Sequence, residues 1–288
     1  MRQESSSHGR GSVGEVLFVL VFVLIVATLL IRPCPRRDYA RHVKQRAQLH
    51  SIKTALELHS NEFEGYPPSD ANDPLGVPYC GALKLAEAVM GQDLLGAHCE
   101  SVFRGDGLDG AGVVTLYPNN IDALDRADRD TNLKARRGPY LHAVNANAYR
   151  LVEIYGKENT GPFPEDAFVL CDTYGTKTAC GERTGTPILC YRAHADRTAH
   201  DANDPNNPEN IYDYRDNHAL VCLGVPGEPN VVHPLSDPRR FYMNTRSDKN
   251  RTESKPYNAD SFLLISAGED GLYGTRDDIC NFEWKYRE

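Results

Sequence analysis

The chain has 288 residues, of which 40% are hydrophobic and 25% are charged, which is the composition of an ordinary globular protein. Its length allows one domain with a sizeable core and a separate anchor. The formal net charge of -8, with no basic tract apart from residues 32–46, argues against nucleic acid as a partner.

An apolar run without a charge or a proline occupies residues 16–31. This run predicts a transmembrane helix over residues 13–35, behind a leader-like segment at residues 1–12, because a spanning helix needs roughly 17–25 apolar residues. A cleaved secretory signal is the competing interpretation, but no small-x-small site follows Leu30. The positive-inside rule would place the basic flank at residues 32–46 in the cytoplasm. The cysteines and the acidic loop described below favour an exported C-terminal domain instead, and that is the orientation we expect.

An amphipathic helix is predicted over residues 36–66, directly after the apolar run. Residues 38–62 contain neither glycine nor proline, and Leu49, Leu56 and Phe63 recur at heptad spacing on one face. The glycine and the prolines that follow end the pattern. The two segments together predict one long N-terminal helix.

The first seventy or so residues of the sequence resemble those of a known family. A glutamate just before the apolar run, a proline shortly after it, and an amphipathic helix followed by Gly65-Tyr66-Pro67-Pro68 resemble type IV pilin-like proteins, in particular the major pseudopilin of type II secretion systems. In that family the first part of the helix spans the membrane and then forms the filament core. The resemblance therefore implies a subunit of the inner membrane that polymerises with itself and with other pseudopilins.

The resemblance also implies roles for residues ahead of the apolar run. Glu15 matches the family's glutamate, which pairs with the N-terminal amine of a neighbouring subunit; the alternative is a carboxylate at the membrane surface without a partner. Processing by a prepilin peptidase would fall between Gly11 and Ser12. Where the family has Gly followed by Phe-Thr-Leu-Ile-Glu, this chain has Gly11-Ser12-Val13-Gly14-Glu15, so its glutamate comes one residue early.

A candidate metal site lies near the C-terminus. Residues 262–265 have strand character and lead into an acidic turn punctuated by glycines. Calcium takes roughly six to eight oxygen ligands, and Asp270 and Asp278 could supply carboxylates, with Ser266 and nearby carbonyls completing the shell. The segment resembles the calcium-binding loop of major pseudopilins, which implies Asp270 and Asp278 as ligands and Asp277 as an alternative to Asp278. A plain acidic turn is the competing interpretation.

The middle of the chain is longer than the corresponding part of a typical major pseudopilin. Residues 70–165 are interpreted as an insertion, with a helix predicted over residues 81–95 and acidic loops after it. Residues 194–218 predict a disordered or extended surface loop, because they are rich in Asp and Asn, and additional metal binding is the alternative. The eight cysteines form no CxxC pair, so in an exported domain disulfides are favoured over a zinc site, with free buried thiols as the alternative.

These elements together predict an α+β fold, in which a long N-terminal helix, with a membrane half and an amphipathic half, packs on a small antiparallel β-sheet with an irregular, loop-rich insertion. Residues 67–288 form the extracytoplasmic globular domain. The predicted function is a pseudopilin-like structural subunit of a type II secretion or type IV pilus-like filament, stabilised by calcium. No catalytic motif indicates an enzyme. The alternative is a membrane-tethered extracytoplasmic enzyme or ligand-binding domain, which a pocket with convergent polar groups would support.

Overall fold

The computed structural model describes residues 17–18, 20–22, 35–177, 183–228, 230–247 and 255–287. The chain divides into two compact units, Met1–Ala40 and Arg41–Glu288. In the second unit helices and short strands follow one another, and the strands pair in small antiparallel sheets.

Residues 17–18 and 20–22 are helical. The α-helices within residues 35–287 are α1 (Pro35–Phe63), α2 (Gly81–Met90), α3 (Arg126–Lys134), α4 (Ala143–Ala146), α5 (Leu151–Tyr155), α6 (Arg215–Val221) and α7 (Pro238–Thr245). The strands are β1 (Ala97–His98), β2 (Arg136–Arg137), β3 (Ala148–Arg150), β4 (Phe168–Leu170), β5 (Thr176–Lys177), β6 (Arg183–Thr184), β7 (Leu189–Arg192), β8 (Phe262–Ser266) and β9 (Ile279–Cys280). Strands β1–β2, β3–β4 and β5–β6 form two-stranded pairs, and β7–β8–β9 form a three-stranded sheet.

The predicted fold is wrong in its N-terminal element. We expected one helix with a membrane half through residues 13–66, whereas the structure is a mixed helix and strand fold in which α1 begins at Pro35. Among the described residues no helix is both long and apolar enough to cross a membrane. Helix α1 itself cannot span one, because it is a polar helix rich in Arg and Lys. Its first residue is a proline, which suits a helix start because the missing N–H has no helical partner there. Residues 13–16, 19 and 23–34 of the predicted span lie outside the described part.

One face of α1 is buried, and its positions follow helical spacing. The buried residues are Gln45, Gln48, Leu49, Ile52, Ala55, Leu56 and His59. Leu49 and Leu56 from the predicted heptad pattern are among them, while Phe63 at the end of the helix is half-buried. Burial of four apolar side chains on one stripe is what holds a polar helix on a globular core.

Strand β8 is the middle strand of its sheet and is buried along its whole length. Phe262 and Leu264 belong to the apolar cluster that includes α1, whereas Leu263 and Ile265 belong to a second cluster that includes residues of α6 and α7. Because alternate residues of a strand lie on opposite faces, burial of both faces explains the uninterrupted apolar run in the sequence. The strand predicted here is confirmed, and it extends to Ser266.

Helix α2 is buried at every position. Gly81 allows it to approach β7, since a Cβ at this position would lie 2.2 Å from the carbonyl oxygen of Cys190. The helix ends at Gly91, whose φ of 77° favours glycine, so it is shorter than the helix predicted over residues 81–95.

Two further expectations differ from the structure. Residues 194–218 are not wholly a surface loop, because Tyr212 and Asn217 are buried and α6 begins at Arg215. Six cysteines of the described residues are free thiols, so the expected disulfides are not found among them. Cys34 and Cys180 lie outside the described part of the chain.

Candidate functional site

The loop between β8 and β9 is folded by its own aspartates. Asp277 Oδ2 accepts hydrogen bonds from the backbone N–H groups of Glu269 (2.7 Å) and Asp270 (3.0 Å), and the Thr275 hydroxyl donates to Asp277 Oδ1. A Cβ on Gly268 would lie 2.3 Å from the backbone oxygen of Asp277, and the φ of Gly268 is +70°. The glycines of the sequence pattern are therefore needed to close this turn.

Asp278 occupies a different place in the same loop. Its Oδ2 accepts from the N–H of Gly274 at 2.7 Å and its Oδ1 from the N–H of Thr275 at 3.2 Å. The residue is only 6% exposed, and burial raises the pKa of its carboxyl well above the ordinary value. The buried carboxylate of Asp278 therefore holds the backbone of the turn in place by accepting these hydrogen bonds.

Asp270 and Asp277 form a close carboxyl pair on the outer side of the loop. The backbone N–H of Asp270 donates to Asp277 Oδ2 at 3.0 Å, which places the two residues side by side. Partial burial, followed by the negative charge of Asp277, raises the pKa of Asp270 to about 6. The pKa of Asp277 is held below its ordinary value, because the hydrogen bonds from Thr275 and from the Asp270 backbone outweigh its burial. Of the two aspartates that the sequence left open as a partner for Asp270, the structure brings Asp277 beside it.

Ser266 is fully buried at the end of β8, and its hydroxyl donates to Asp172 Oδ2 at 3.1 Å. Asp172 also accepts from the backbone N–H groups of Tyr174 (3.1 Å) and Thr186 (3.2 Å). Burial raises the pKa of Asp172 to about 8. Asp172 was not among the residues predicted for this site, because a contact across 94 residues of sequence leaves no local pattern.

The loop offers Ca²⁺ the right kind of ligands but few of them. Within the described residues no three His, Cys, Asp or Glu side chains come together in a way that could hold a metal ion. Asp270 and Asp277 supply carboxylate oxygens, which a hard divalent cation prefers. Backbone carbonyls or water would have to complete the coordination shell.

The loop is also tied to α1. Arg41 Nη1 lies 3.2 Å from Glu269 Oε1, and both side chains are partly exposed. An ion pair of this kind contributes roughly 0–1 kcal/mol, so it positions the loop more than it stabilises the fold. Gln45 Oε1 accepts from the Thr173 N–H at 2.7 Å, and it holds the same part of the helix to the segment that precedes β5.

The residues predicted for assembly and processing, Glu15, Gly11 and Ser12, lie outside the described residues. Comparison of the chain with protein-family models, with curated proteins and with solved structures found no match.

Proposed function

We propose that the chain is a pseudopilin-like structural subunit of a type II secretion or type IV pilus-like filament. The observation that carries this proposal is the docking of α1, whose buried apolar stripe belongs to the same hydrophobic cluster as residues of β7, β8 and β9. The sequence places the apolar run at residues 16–31 directly ahead of this helix. A subunit built in this way presents an apolar segment for assembly and keeps its folded unit outside the filament core.

The outer face of α1 supports contact with other subunits. Val43 and Leu58 are 46% and 47% exposed on this helix, between charged residues such as Lys44 and Glu57. Neighbouring copies of the chain, or other pseudopilins, would cover these side chains. In this proposal the subunit is processed by a prepilin peptidase after Gly11, and its C-terminal domain lies on the extracytoplasmic side of the inner membrane.

Calcium is proposed as the ion that stiffens the β8–β9 loop. The paired carboxyl groups of Asp270 and Asp277 support it, because their mutual repulsion would be relieved by a divalent cation. When bound, the ion would link the two ends of the turn and leave Glu269 directed at Arg41.

The test of assembly is substitution of the glutamate that precedes the apolar run. We expect Glu15→Gln to abolish recovery of the full-length chain in sheared filaments, measured by pelleting and electron microscopy, because the neutral side chain cannot pair with the amine of the neighbouring subunit. Glu57→Gln is the matched control, since this exposed glutamate of α1 contacts only Lys53, at 3.8 Å, among the ion pairs of the described residues. Filaments of Glu15→Gln at the wild-type level would overturn the proposal.

A further inference from the structure

A cleft of about 320 Å³ opens beside α2, away from the β8–β9 loop. Its walls come from one side of α2, from residues 91–94, 105–106 and 117–119, and from β3, β4 and the segment that joins them. The volume lies at the lower end of the roughly 300–1,000 Å³ found for small-molecule sites. It suits a ligand with the size of one or two sugar rings.

The floor of the cleft is a fixed polar network around Glu87, which is only 1% exposed. The Tyr79 hydroxyl donates to Glu87 Oε2 at 2.7 Å and Gln92 Nε2 donates to the same oxygen at 2.9 Å. The Ser101 hydroxyl donates to Oε1. Gln92 Nε2 also donates to the carbonyl oxygen of Arg104 at 2.8 Å. Because each of these side chains is held by hydrogen bonds to other groups of the protein, the floor of the cleft is preorganised for a ligand.

The acidic side chains of the rim are compensated by arginines. Asp93 Oδ2 accepts from Arg136 Nη2 at 2.9 Å, and Asp106 Oδ2 accepts from Arg104 Nη2 at 2.6 Å. These pairs remove the net negative charge that would otherwise favour a cationic ligand.

Two opposite charges remain at the mouth of the cleft, Arg150 and Asp166, which are both exposed. The guanidinium carbon of Arg150 lies 5.2 Å from the centre of the Phe168 ring. A single arginine opposed by an aspartate is a poor site for a phosphate or a nucleotide, which needs concentrated positive charge.

We propose that this cleft binds a neutral polyhydroxylated small molecule, a monosaccharide or disaccharide. Sugar hydroxyl groups both donate and accept hydrogen bonds. The cleft offers planar partners for them: a donor in the guanidinium of Arg150, an acceptor in the carboxylate of Asp166, and both in the amide of Asn119. The half-buried ring of Phe168 adds apolar surface for the C–H groups of a sugar. The site is independent of filament assembly, and it supplies the pocket with convergent polar groups expected of a ligand-binding domain.

The test uses the full-length chain in a polyoxyethylene detergent, because glycoside detergents would compete for the cleft. We expect saturation-transfer NMR signals and measurable binding heat with at least one of cellobiose, maltose, lactose and N,N′-diacetylchitobiose. Arg150→Gln and Asn119→Ala should each weaken that binding by about tenfold, since each removes hydrogen bonds to the sugar. Both residues lie on the rim, so the fold should tolerate the changes.

Arg129→Gln is the matched control, since Arg129 is a partly exposed arginine that pairs with Asp122 outside the cleft; it should bind like the wild type. Absence of signal from all four sugars at millimolar concentration would overturn the proposal. Binding that is unchanged in both rim variants would also overturn it, because the sugar would then be held elsewhere. Neither result bears on assembly, which the Glu15 variant reports separately.

Discussion

At the scale of single residues, burial raises the pKa of several interior carboxyl groups. Asp216 is the clearest case outside the candidate sites, being 3% exposed. It accepts a hydrogen bond from the Ser69 hydroxyl, and Lys84, Asp70 and Asp213 are the charged groups that act on it. Burial raises the pKa of Asp216 from 3.8 to about 8, and the hydrogen bond from Ser69 opposes this only in part.

This raised pKa predicts that stability falls as the pH rises. The folded chain keeps the proton on Asp216 while the unfolded chain releases it above its ordinary pKa of 3.8, so the free energy of unfolding should decrease from about pH 4 to about pH 8. For one carboxyl the slope is at most about 1.4 kcal/mol per pH unit. Asp216→Asn should reduce the slope, since the amide can still accept from Ser69. Urea denaturation at pH 5 and pH 8 measures it.

The exposed Asp196 provides the control for this experiment. Asp196→Asn should leave the difference in unfolding free energy between pH 5 and pH 8 unchanged. If Asp216→Asn shows the same pH dependence as the wild type, then Asp216 is ionised in the folded chain and its neutral burial is wrong.

Single residues also show which parts of the candidate site can be predicted from the sequence and which cannot. The glycine-rich acidic turn and its position after a strand could be recognised, because turn residues and apolar runs are local signals. Which of Asp277 and Asp278 lies beside Asp270 could not be recognised, since that depends on which way each carboxylate points after the backbone has closed. The buried role of Glu87 was also hidden, because its partners Tyr79, Gln92 and Ser101 are gathered by loops rather than by a helical or strand repeat.

At the scale of secondary structure elements, the approach of α2 to β7 rests on one glycine. The absence of a side chain at Gly81 lets the helix start against the strand, where a Cβ would lie 2.2 Å from Cys190 O and 3.0 Å from Asn217 Nδ2. Asn217 links both elements, because its Nδ2 donates to Cys190 O at 2.6 Å and its Oδ1 accepts from the N–H of Ala82 at 2.8 Å. This contact positions α2, and therefore the floor of the cleft.

Gly81→Ala should accordingly destabilise the fold by about 1–3 kcal/mol, which is the usual cost of overpacking a core. The backbone of β7 would have to shift, because the clashing atom is a carbonyl oxygen and not the end of a flexible side chain. Gly65→Ala is the control, since the nearest atom to its Cβ would be Arg192 Nη2 at 3.8 Å. The midpoint of urea denaturation compares the two, and equal midpoints would show that the α2–β7 contact is loose.

Some secondary structure elements were predicted correctly from the sequence and others were not, and the difference has physical causes. The strand β8 was found because its apolar run is short and is followed by a turn, and the buried stripe of α1 was found from Leu49 and Leu56. The membrane half of the long helix was predicted from the apolar run at residues 16–31 and from the family resemblance, whereas no helix of the described residues is long and apolar enough to span a membrane. Strands of two or three residues, such as β1 and β2, are fixed by partners distant in sequence and carry no periodic signal.

At the scale of the whole molecule, the β8–β9 loop connects the three-stranded sheet to α1. The sheet supplies the two ends of the loop, and Glu269 within it pairs with Arg41 of the helix. Calcium bound between Asp270 and Asp277 would therefore stabilise the junction of sheet and helix, and not only the loop itself. Because only the folded chain brings these two carboxylates together, binding would raise the stability of the whole fold.

We therefore predict that Ca²⁺ raises the melting temperature of the full-length chain by roughly 5–10 °C at about a hundredfold excess over the dissociation constant. Asp270→Ala should abolish the increase, because the remaining side-chain carboxylate cannot hold the ion alone, whereas Asp196→Ala, at an exposed position away from the loop, should preserve it. Mg²⁺ should give a smaller increase, since it demands a tighter octahedral shell than a loop with so few side-chain ligands can provide. Differential scanning calorimetry with each ion measures the effect. An unchanged melting temperature with Ca²⁺ would identify the segment as an acidic turn closed by its own hydrogen bonds, because Asp277 and Asp278 already satisfy its backbone N–H groups without a metal.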